Sequence, residues 1–247
     1  MRASERDLLL LILAVSAGSA DGWSYFGIGH AFVANITGNT VLLGVDVFGP
    51  GDDVLHPTIA IGCYAAGVIL AALLTRNVEE GKSWPRAVSA MLLIESFLLI
   101  GAEVTWALFL RDSGPRIGLG AQGRKWLLGG VAFAVGMQSG AMVQLRIPGV
   151  VTSYITGTWT SLMSGLARHC GGKLPARTRS KHAFEERLLL QESLLAVYLL
   201  SAMLTGWVLE NLPAAVGVIS AASVFVVAVF GLARGGDPSA SSLSWIV

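Results

Sequence analysis

Two polar blocks interrupt the apolar regions of this chain, VANITGNTVLLG at residues 33–44 and TSYITGTWTSL at residues 152–162. Their amide and hydroxyl groups can donate and accept hydrogen bonds, so they can bind a polar solute without breaking bonds in it. For any one such side chain, a hydrogen bond that ties helices together is the favoured role, but two matched clusters favour a binding site. The candidate binding residues, including one from the glycine-rich patch before the second block, are Asn35, Thr37, Gly38, Asn39, Gln138, Thr156, Gly157 and Thr158.

Three charged residues in or beside apolar runs are further candidates. Arg146 follows the apolar stretch 126–145, where a charge at membrane depth is expensive and usually functional; it has a site role, forms a structural ion pair with Asp21, or lies at the interface. Asp21 is either an interfacial carboxylate or a buried site carboxylate. Glu95, in the run 87–110, either carries protons or is held protonated against a neighbouring helix. The lower-ranking polar residues, assigned to packing or interfaces, are Glu103, Gln144 and His30.

The sequence has no pattern typical of an enzyme or a metalloprotein. No nucleophile can be placed beside a base, and no metal-ligand spacing or phosphate-binding loop occurs. We therefore expect no catalytic activity, no cofactor and no bound metal. The net charge of +1 argues against a nucleic-acid partner, which needs a basic face. Cys63 and Cys170 form no disulfide framework, and His169, Cys170 and His182 are expected to be loop residues.

The composition predicts a membrane protein. Hydrophobic residues make up 53% of the chain and charged residues 13%, against about a quarter charged in soluble domains, and the mean hydropathy is +0.66. Apolar runs of roughly 20 residues, enough to cross a ~30 Å hydrocarbon core, lie at 56–75, 87–110, 188–209 and 213–233. The chain is therefore predicted to be an all-α, multi-pass membrane protein.

Two other apolar regions, 7–48 and 126–167, are too long for single spans, because each would reach roughly 60 Å as unbroken helix. Each must break or turn back within the bilayer. The run LLLLILAVSAGSA near the N-terminus has the character of a secretory signal. Weak preceding charge, and recurrence of the same region later in the chain, argue against its cleavage.

The recurrence predicts two tandem repeats. Residues 15–44 and 135–165 each contain a glycine-rich patch followed by Ile-Thr-Gly, and two apolar spans follow each copy. The predicted units are a first membrane repeat at 1–110, a loop at 111–125, a second membrane repeat at 126–233 and a tail at 234–247. Each repeat comprises a broken or re-entrant helix unit and two transmembrane helices, giving about six spans.

Interrupted segments at matching positions of two halves point to a binding site near the bilayer midplane. We expect each unit to contain a helix, a short extended piece (residues 32–36 and 150–155) and a second helix starting at the Thr-Gly step. Thr37 and Thr156 are expected to cap these second helices. Gly38 and Gly157 are expected to let another backbone approach, with both helix N-termini pointing at the centre of the protein.

The first block, AGSADGWSYFGIGHAFVANITGNTVLLG, with VGMQSGAM and TSYITGTWTSL in the second half, resembles the YoaK-type membrane proteins, a family of unknown function numbered 1275. The resemblance extends over essentially the whole chain. It implies an integral, bacterial-type inner-membrane protein with about six spans and brings no established substrate. The residues on its motif positions are Asp21, Asn35, Thr37, Gly38, Asn39, Gln138, Thr156, Gly157 and Thr158.

Charge leaves the topology open. Residues 168–187 hold six Lys or Arg, which the positive-inside tendency places in the cytoplasm; binding of anionic lipid headgroups is an alternative role. Inverted halves would place 12 Lys or Arg inside and 4 outside, and parallel halves 13 and 3, with Arg146 omitted from both counts. We favour inverted halves, because a central site between them gives alternating access a structural basis.

The sequence as a whole favours a secondary transporter or facilitator of a small solute. Helix N-termini and Arg146 point weakly to an anionic group on that solute. The alternative is a non-transport membrane scaffold, sensor or lipid-binding protein, in which the polar clusters would pack dry. The expected partners are membrane lipids and the solute, and a homo-oligomer is compatible with either function.

Overall fold

The computed structural model describes residues 3–49, 54–76, 84–110, 119–143, 145, 155–170 and 178–234. All regular structure within these residues is helical, which confirms the all-α prediction. π-helical turns extend α1 (Ser24–Gly29) and α4 (Trp106–Leu110), and a short 3-10 turn (Pro213–Ala215) precedes α8. The helices are α1 (Ala3–Trp23), α2 (Ile36–Phe48), α3 (Leu55–Thr75), α4 (Arg86–Thr105), α5 (Leu119–Val143), α6 (Ile155–Cys170), α7 (Thr178–Asn211) and α8 (Val218–Arg234).

Six of these helices are long and apolar enough to cross a membrane, namely α1, α3, α4, α5, α7 and α8. Four of them coincide with the four predicted spans, and α1 and α5 begin the two over-long apolar regions. The prediction of about six spans is therefore confirmed. Helices α2 and α6, with 13 and 16 residues, reach about 20 and 24 Å and fall short of the ~30 Å hydrocarbon core.

The first over-long region breaks after Gly29, as predicted. His30 adopts a left-handed backbone conformation with φ 53°, and its N–H donates to the Tyr25 carbonyl at 3.0 Å. Residues 31–35 are non-helical, and α2 starts at Ile36. The second region breaks between Val143 and Ile155; most of its predicted extended piece, residues 150–154, lies outside the described residues.

Helices α1 and α5 are the innermost spans. Within an apolar stretch of 18 residues of each span, 72% of the residues are buried in α1 and 78% in α5, against 22% in α3 and 28% in α7. The two helices that carry the glycine-rich patches therefore form the centre of the bundle, and α3 and α7 lie at its outside.

Helices α1 and α8 run antiparallel. The Arg234 guanidinium donates to the Glu5 carboxylate at 3.2 Å, and the Ser16 and Ser220 hydroxyls are hydrogen-bonded at 2.9 Å. The start of α1 thus lies beside the end of α8. We call this end of the bundle, marked by Glu5 and Arg234, the termini end.

Helices α1 and α5 are also antiparallel. Arg124, near the start of α5, donates to the Gly27 carbonyl at the end of the first span. Further along α5, the Gln138 amide donates to the Leu13 carbonyl at 3.4 Å. The two glycine-rich helices therefore point in opposite directions.

The glycine-rich patch of α1 allows close packing against α7. A Cβ at Gly18 would collide with the Tyr198 carbonyl and the Ser201 hydroxyl, and one at Gly22 would press on Thr205. Both sequence positions increase together along these contacts, so α1 and α7 are parallel. Small residues four apart are a common device for such close approach in membranes.

The patch of α5 packs in the same way against α3. A Cβ at Gly136 would collide with the Tyr64 carbonyl, and one at Gly140 would lie 2.7 Å from the Val68 carbonyl. These helices are parallel too. The pairing of α5 with α3 therefore corresponds to the pairing of α1 with α7, although the repeat itself stays a prediction.

The relative direction of the two remaining spans, α4 and α8, follows from two further glycine contacts. A Cβ at Gly231 would strike the Ser89 hydroxyl, and one at Gly217 would strike the Glu103 carboxylate. Early α4 thus lies against late α8, and the two are antiparallel. The six spans alternate in direction along the chain, α1 opposes α5 and α4 opposes α8, as in an inverted pair of halves.

The basic segment 168–187 is not the loop that the sequence suggested. His169 and Cys170 end α6, and His182 lies within the 34-residue helix α7. Only residues 171–177 separate the two helices, and these lie outside the described residues. Charged residues carry α7 past its apolar span, which begins at Leu188. Helix α5 likewise begins at Leu119, inside the predicted loop 111–125.

Replacing Gly136 by Ala should destabilise the protein by about 1 to 3 kcal/mol, because the new Cβ overpacks the α3 backbone. Gly130→Ala is the matched control on the same helix, since no neighbouring atom of the described residues lies within 4 Å of the place that its Cβ would take. This control should leave stability unchanged or slightly raised. Melting temperatures in detergent compare the two variants. Equal melting temperatures would contradict the close α3–α5 contact.

Candidate functional site

Asp21 holds the break between α1 and α2 in place. Its carboxylate is buried and accepts the backbone N–H groups of Val33 and Ala34 at 2.7 Å each and that of Asn35 at 3.0 Å. Tyr198 of α7 donates its hydroxyl to the other side of the same carboxylate. Of the two predicted alternatives, an interfacial or a buried carboxylate, Asp21 is the buried one. In the described residues its partners are backbone amides and the Tyr198 phenol.

The two asparagines of the first polar block fix the same segment. Asn39 is fully buried; its amide donates to the Phe32 carbonyl at 2.6 Å and its Oδ1 accepts the Phe32 N–H at 2.8 Å. Asn35 caps α2, with Oδ1 accepting the Gly38 N–H at 3.2 Å. We call Asp21, Asn35, Asn39 and Tyr198 the α1–α2 clamp.

Three local expectations for the threonines and glycines are corrected. Thr37 does not cap α2, because Asn35 takes that position. Thr156 is the second residue of α6 and so lies past the cap as well. No other helix backbone approaches Gly38 among the described residues, and its nearest neighbours are the side chains of Asn35 and Phe32. The Asn35 side chain, two residues before Thr37, accepts the free Gly38 N–H and so takes the capping role.

The second polar block is brought together only in part. Gln138, Ser139 and Thr158 are buried, whereas Thr156 and Gly157 are exposed on α6. Helix α6 packs on α7 and α2 on α3, so the two Thr-Gly steps belong to separate packing units. Arg146 and Gln144 lie outside the described residues, and a pairing of Arg146 with Asp21 stays a prediction.

A fully buried acid, Glu95, lies near the middle of α4. Within the described part of the chain neither carboxylate oxygen has a hydrogen-bond partner. Glu103, farther along α4, accepts the Gly217 N–H at 2.8 Å through Oε2, while Oε1 is buried without a partner among the described residues. Glu103 therefore ties α4 to the start of α8.

An aromatic cluster surrounds this contact at the end of the bundle opposite the termini end. The Trp23 and Trp106 rings meet edge to face at 6.3 Å, and the Trp106 indole donates to the Pro213 carbonyl at 2.8 Å. The Arg124 guanidinium lies 5.0 Å from the centre of the Trp106 ring. The Arg124 guanidinium is thus held near the start of α5 by a cation–π contact with Trp106 and by a hydrogen bond to the Gly27 carbonyl.

Sequence reasoning missed Tyr198 and Arg124. Tyr198 stands in an apolar run without a motif, and the only available signal was that the α1 glycines need a close partner helix. Arg124 falls within the predicted connecting loop, because the apolar run begins after it. Among the described residues, no three His, Cys, Asp or Glu side chains are grouped so that they could bind a metal ion.

Tyr198→Phe should destabilise the protein by about 1.5 to 3 kcal/mol, because it removes a hydrogen bond to a buried charged group. Tyr64→Phe is the matched control, since Tyr64 lies at the corresponding position of the α3–α5 contact. Melting temperatures in detergent measure both changes. An equal effect of the two substitutions would contradict a special role of the Tyr198 hydroxyl in the α1–α2 clamp.

Comparison with known proteins agrees with the resemblance inferred from the two blocks. The profile of the family described as "Protein of unknown function (DUF1275)" matches residues 9–230. The UPF0700 transmembrane protein YoaK of Bacillus subtilis (strain 168) is 32% identical over 167 residues, which cover 67% of this chain and 69% of that protein. No solved structure matches the chain significantly. With six apolar helices of spanning length, this chain is a multi-pass membrane protein that belongs to the DUF1275 family.

Proposed function

We propose that the protein is a secondary transporter or facilitator of a small solute. The observation that carries the proposal is the alternating direction of the six spans, in which α1 opposes α5 and α4 opposes α8. Halves of opposite orientation are a recurrent architecture of secondary transporters, because exchanging the conformations of the two halves opens a central site to either side.

The broken unit gives the proposal a second support. Non-helical backbone within a span persists only where protein or a water-filled cavity surrounds it, and the loop before α2 is folded back to the level of Asp21. Polar groups also line the inner helices, with Ser16 bonded to Ser220 and Gln138 bonded to α1. The proposed solute path runs between α1, α5 and α8, where these groups lie.

The proposed location is the inner or plasma membrane, with the termini end in the cytoplasm. An inverted arrangement leaves 12 Lys or Arg on that side and 4 on the other, with Arg146 omitted. This distribution obeys the positive-inside rule. Membrane lipids are then the surrounding partners, and Arg146 is the proposed contact for an anionic group on the solute.

A non-transport scaffold, sensor or lipid-binding protein is the second candidate, and one observation favours it. The polar groups of the α1–α2 clamp bond to one another and to the backbone, which is the arrangement expected of a dry, structural cluster. In that case the clusters serve packing alone and the protein binds no solute at its centre.

Addition of the true solute should raise the melting temperature of the detergent-purified protein in proportion to the logarithm of its concentration, because a ligand stabilises the state that it binds. Small organic anions, amino acids and neutral metabolites form the library, tested on wild type, Arg146→Ala and the control Arg234→Ala, an exposed arginine. We expect an anionic hit that Arg146→Ala loses and Arg234→Ala keeps, followed by flux into liposomes.

The other outcomes of the screen separate the candidates. A neutral solute that stabilises all three proteins equally would keep transport and remove Arg146 from the site. A library without any hit, on protein shown to be folded, would favour the scaffold or lipid-binding function.

Cysteine labelling in intact cells tests the orientation. In a background with Cys63 and Cys170 replaced by Ser, an impermeant maleimide should label Glu210→Cys, because that exposed residue ends α7 opposite the termini end. Arg234→Cys at the termini end should react only after the cells are permeabilised. Labelling of both positions from the same side would contradict the alternation of the spans.

A further inference from the structure

We propose that Glu95 is a proton-binding site at the centre of the bundle and that Glu103 is the group through which its proton exchanges with the side opposite the termini end. This inference deepens the proposed transport function and rests on it for its purpose, since it makes the proton the coupling ion. The first observation is the state of Glu95: the side chain is fully buried and both carboxylate oxygens are without partners in the described structure.

No positive charge compensates Glu95 from the spans around it. Helix α4 packs against α3, α5 and α8, and these helices carry no charged residue over residues 57–75, 126–143 and 218–233. The titratable groups of those segments are Cys63 and Tyr64, both on α3. An ionised carboxylate without a partner is costly in such surroundings, so Glu95 holds a proton in the resting protein.

The charged groups nearest in sequence stand at the ends of the same helices. They are Arg86 at the start of α4 itself, His56 and Arg76 on α3, Arg124 and Lys125 on α5, and Arg234 on α8. Arg124 is bound to the Gly27 carbonyl and lies over the Trp106 ring, and Arg234 pairs with Glu5 at the termini end. These contacts hold Arg124 and Arg234 at the bundle ends, away from the middle of α4.

Glu103 provides the route. It lies eight residues after Glu95 on the same helix, about 12 Å along the axis, and is slightly exposed, at 7%. Oε2 is held by the Gly217 N–H, while Oε1 is buried and has no partner in the described residues, so Oε1 is the oxygen proposed to exchange the proton. The separation is too large for direct transfer or for one bridging water, so the proposed route is a chain of water molecules between the two carboxyl groups.

The proton balance is simple. In one direction Glu95 releases a proton to water, the ionised Glu103 accepts it, and Glu103 then releases it to the solvent at the end opposite the termini end. The reverse sequence reloads Glu95. Release occurs whenever water reaches the middle of α4, and in the proposed transport function a bound solute makes that entry more frequent.

Infrared difference spectroscopy on full-length protein in lipid tests both roles. A protonated carboxyl without hydrogen bonds gives a carbonyl band at higher frequency than a hydrogen-bonded acid. We expect this band in wild type, its loss in Glu95→Gln and its retention in Glu210→Gln, the matched change at an exposed acid. Transfer to D₂O should shift the band, and Glu103→Gln should keep the band but slow the shift.

Absence of the band, or its survival in folded Glu95→Gln, would overturn proton binding at Glu95. A band that never shifts in D₂O would overturn exchange, and an equally fast shift in Glu103→Gln would overturn the route. If Glu95→Gln does not fold, Glu95→Asp replaces it, and its carboxyl must move the band to a new frequency. The spectrum needs no solute, so a failed ligand screen with a positive spectrum would favour the scaffold or lipid-binding function while the proton site stands.

Discussion

The fold depends on one requirement, the hydrogen bonding of backbone that is not helical inside the bundle. Hydrocarbon offers no partner for an N–H group, and an unsatisfied one costs several kcal/mol. The segment after Gly29 would leave three amides free, and Asp21 accepts all of them. Tyr198 donates its hydroxyl to the same carboxylate, and Asn39 accepts the neighbouring Phe32 N–H. The carboxylate is thus what allows α1 to end and α2 to begin within the protein.

Close helix packing follows from the same need for positioned partners. Tyr198 can reach Asp21 only because Gly18 and Gly22 let α7 approach the backbone of α1. The same device at Gly136 and Gly140 brings α3 against α5. Small residues and one buried acid act together here, the glycines setting the distance and the acid making use of it.

Much of the fold could be predicted from the sequence, because span length and apolar composition report directly on the bilayer. The same reasoning predicted that each over-long region is interrupted, since an apolar run of more than 40 residues cannot cross once, and the first interruption lies at residues 30–35. The partners within the site could not be predicted in this way. Tyr198 is 177 positions from Asp21, and nothing in its own surroundings marks it. Residue type alone favours Thr37 as the cap of α2, whereas the backbone geometry places Asn35 there.

The pairing of α1 with α7 and α8 and of α3 with α5 has a consequence for synthesis. During synthesis α1 enters the membrane long before α7 has been made. The hydrogen bond between Asp21 and the Tyr198 hydroxyl can therefore form only after most of the chain has been inserted. Contacts so distant in sequence form late, because a long loop must close first. The first three spans therefore cannot complete their packing as an independent unit during synthesis. Until α7 is inserted, the Asp21 carboxyl of the first span lacks its Tyr198 partner.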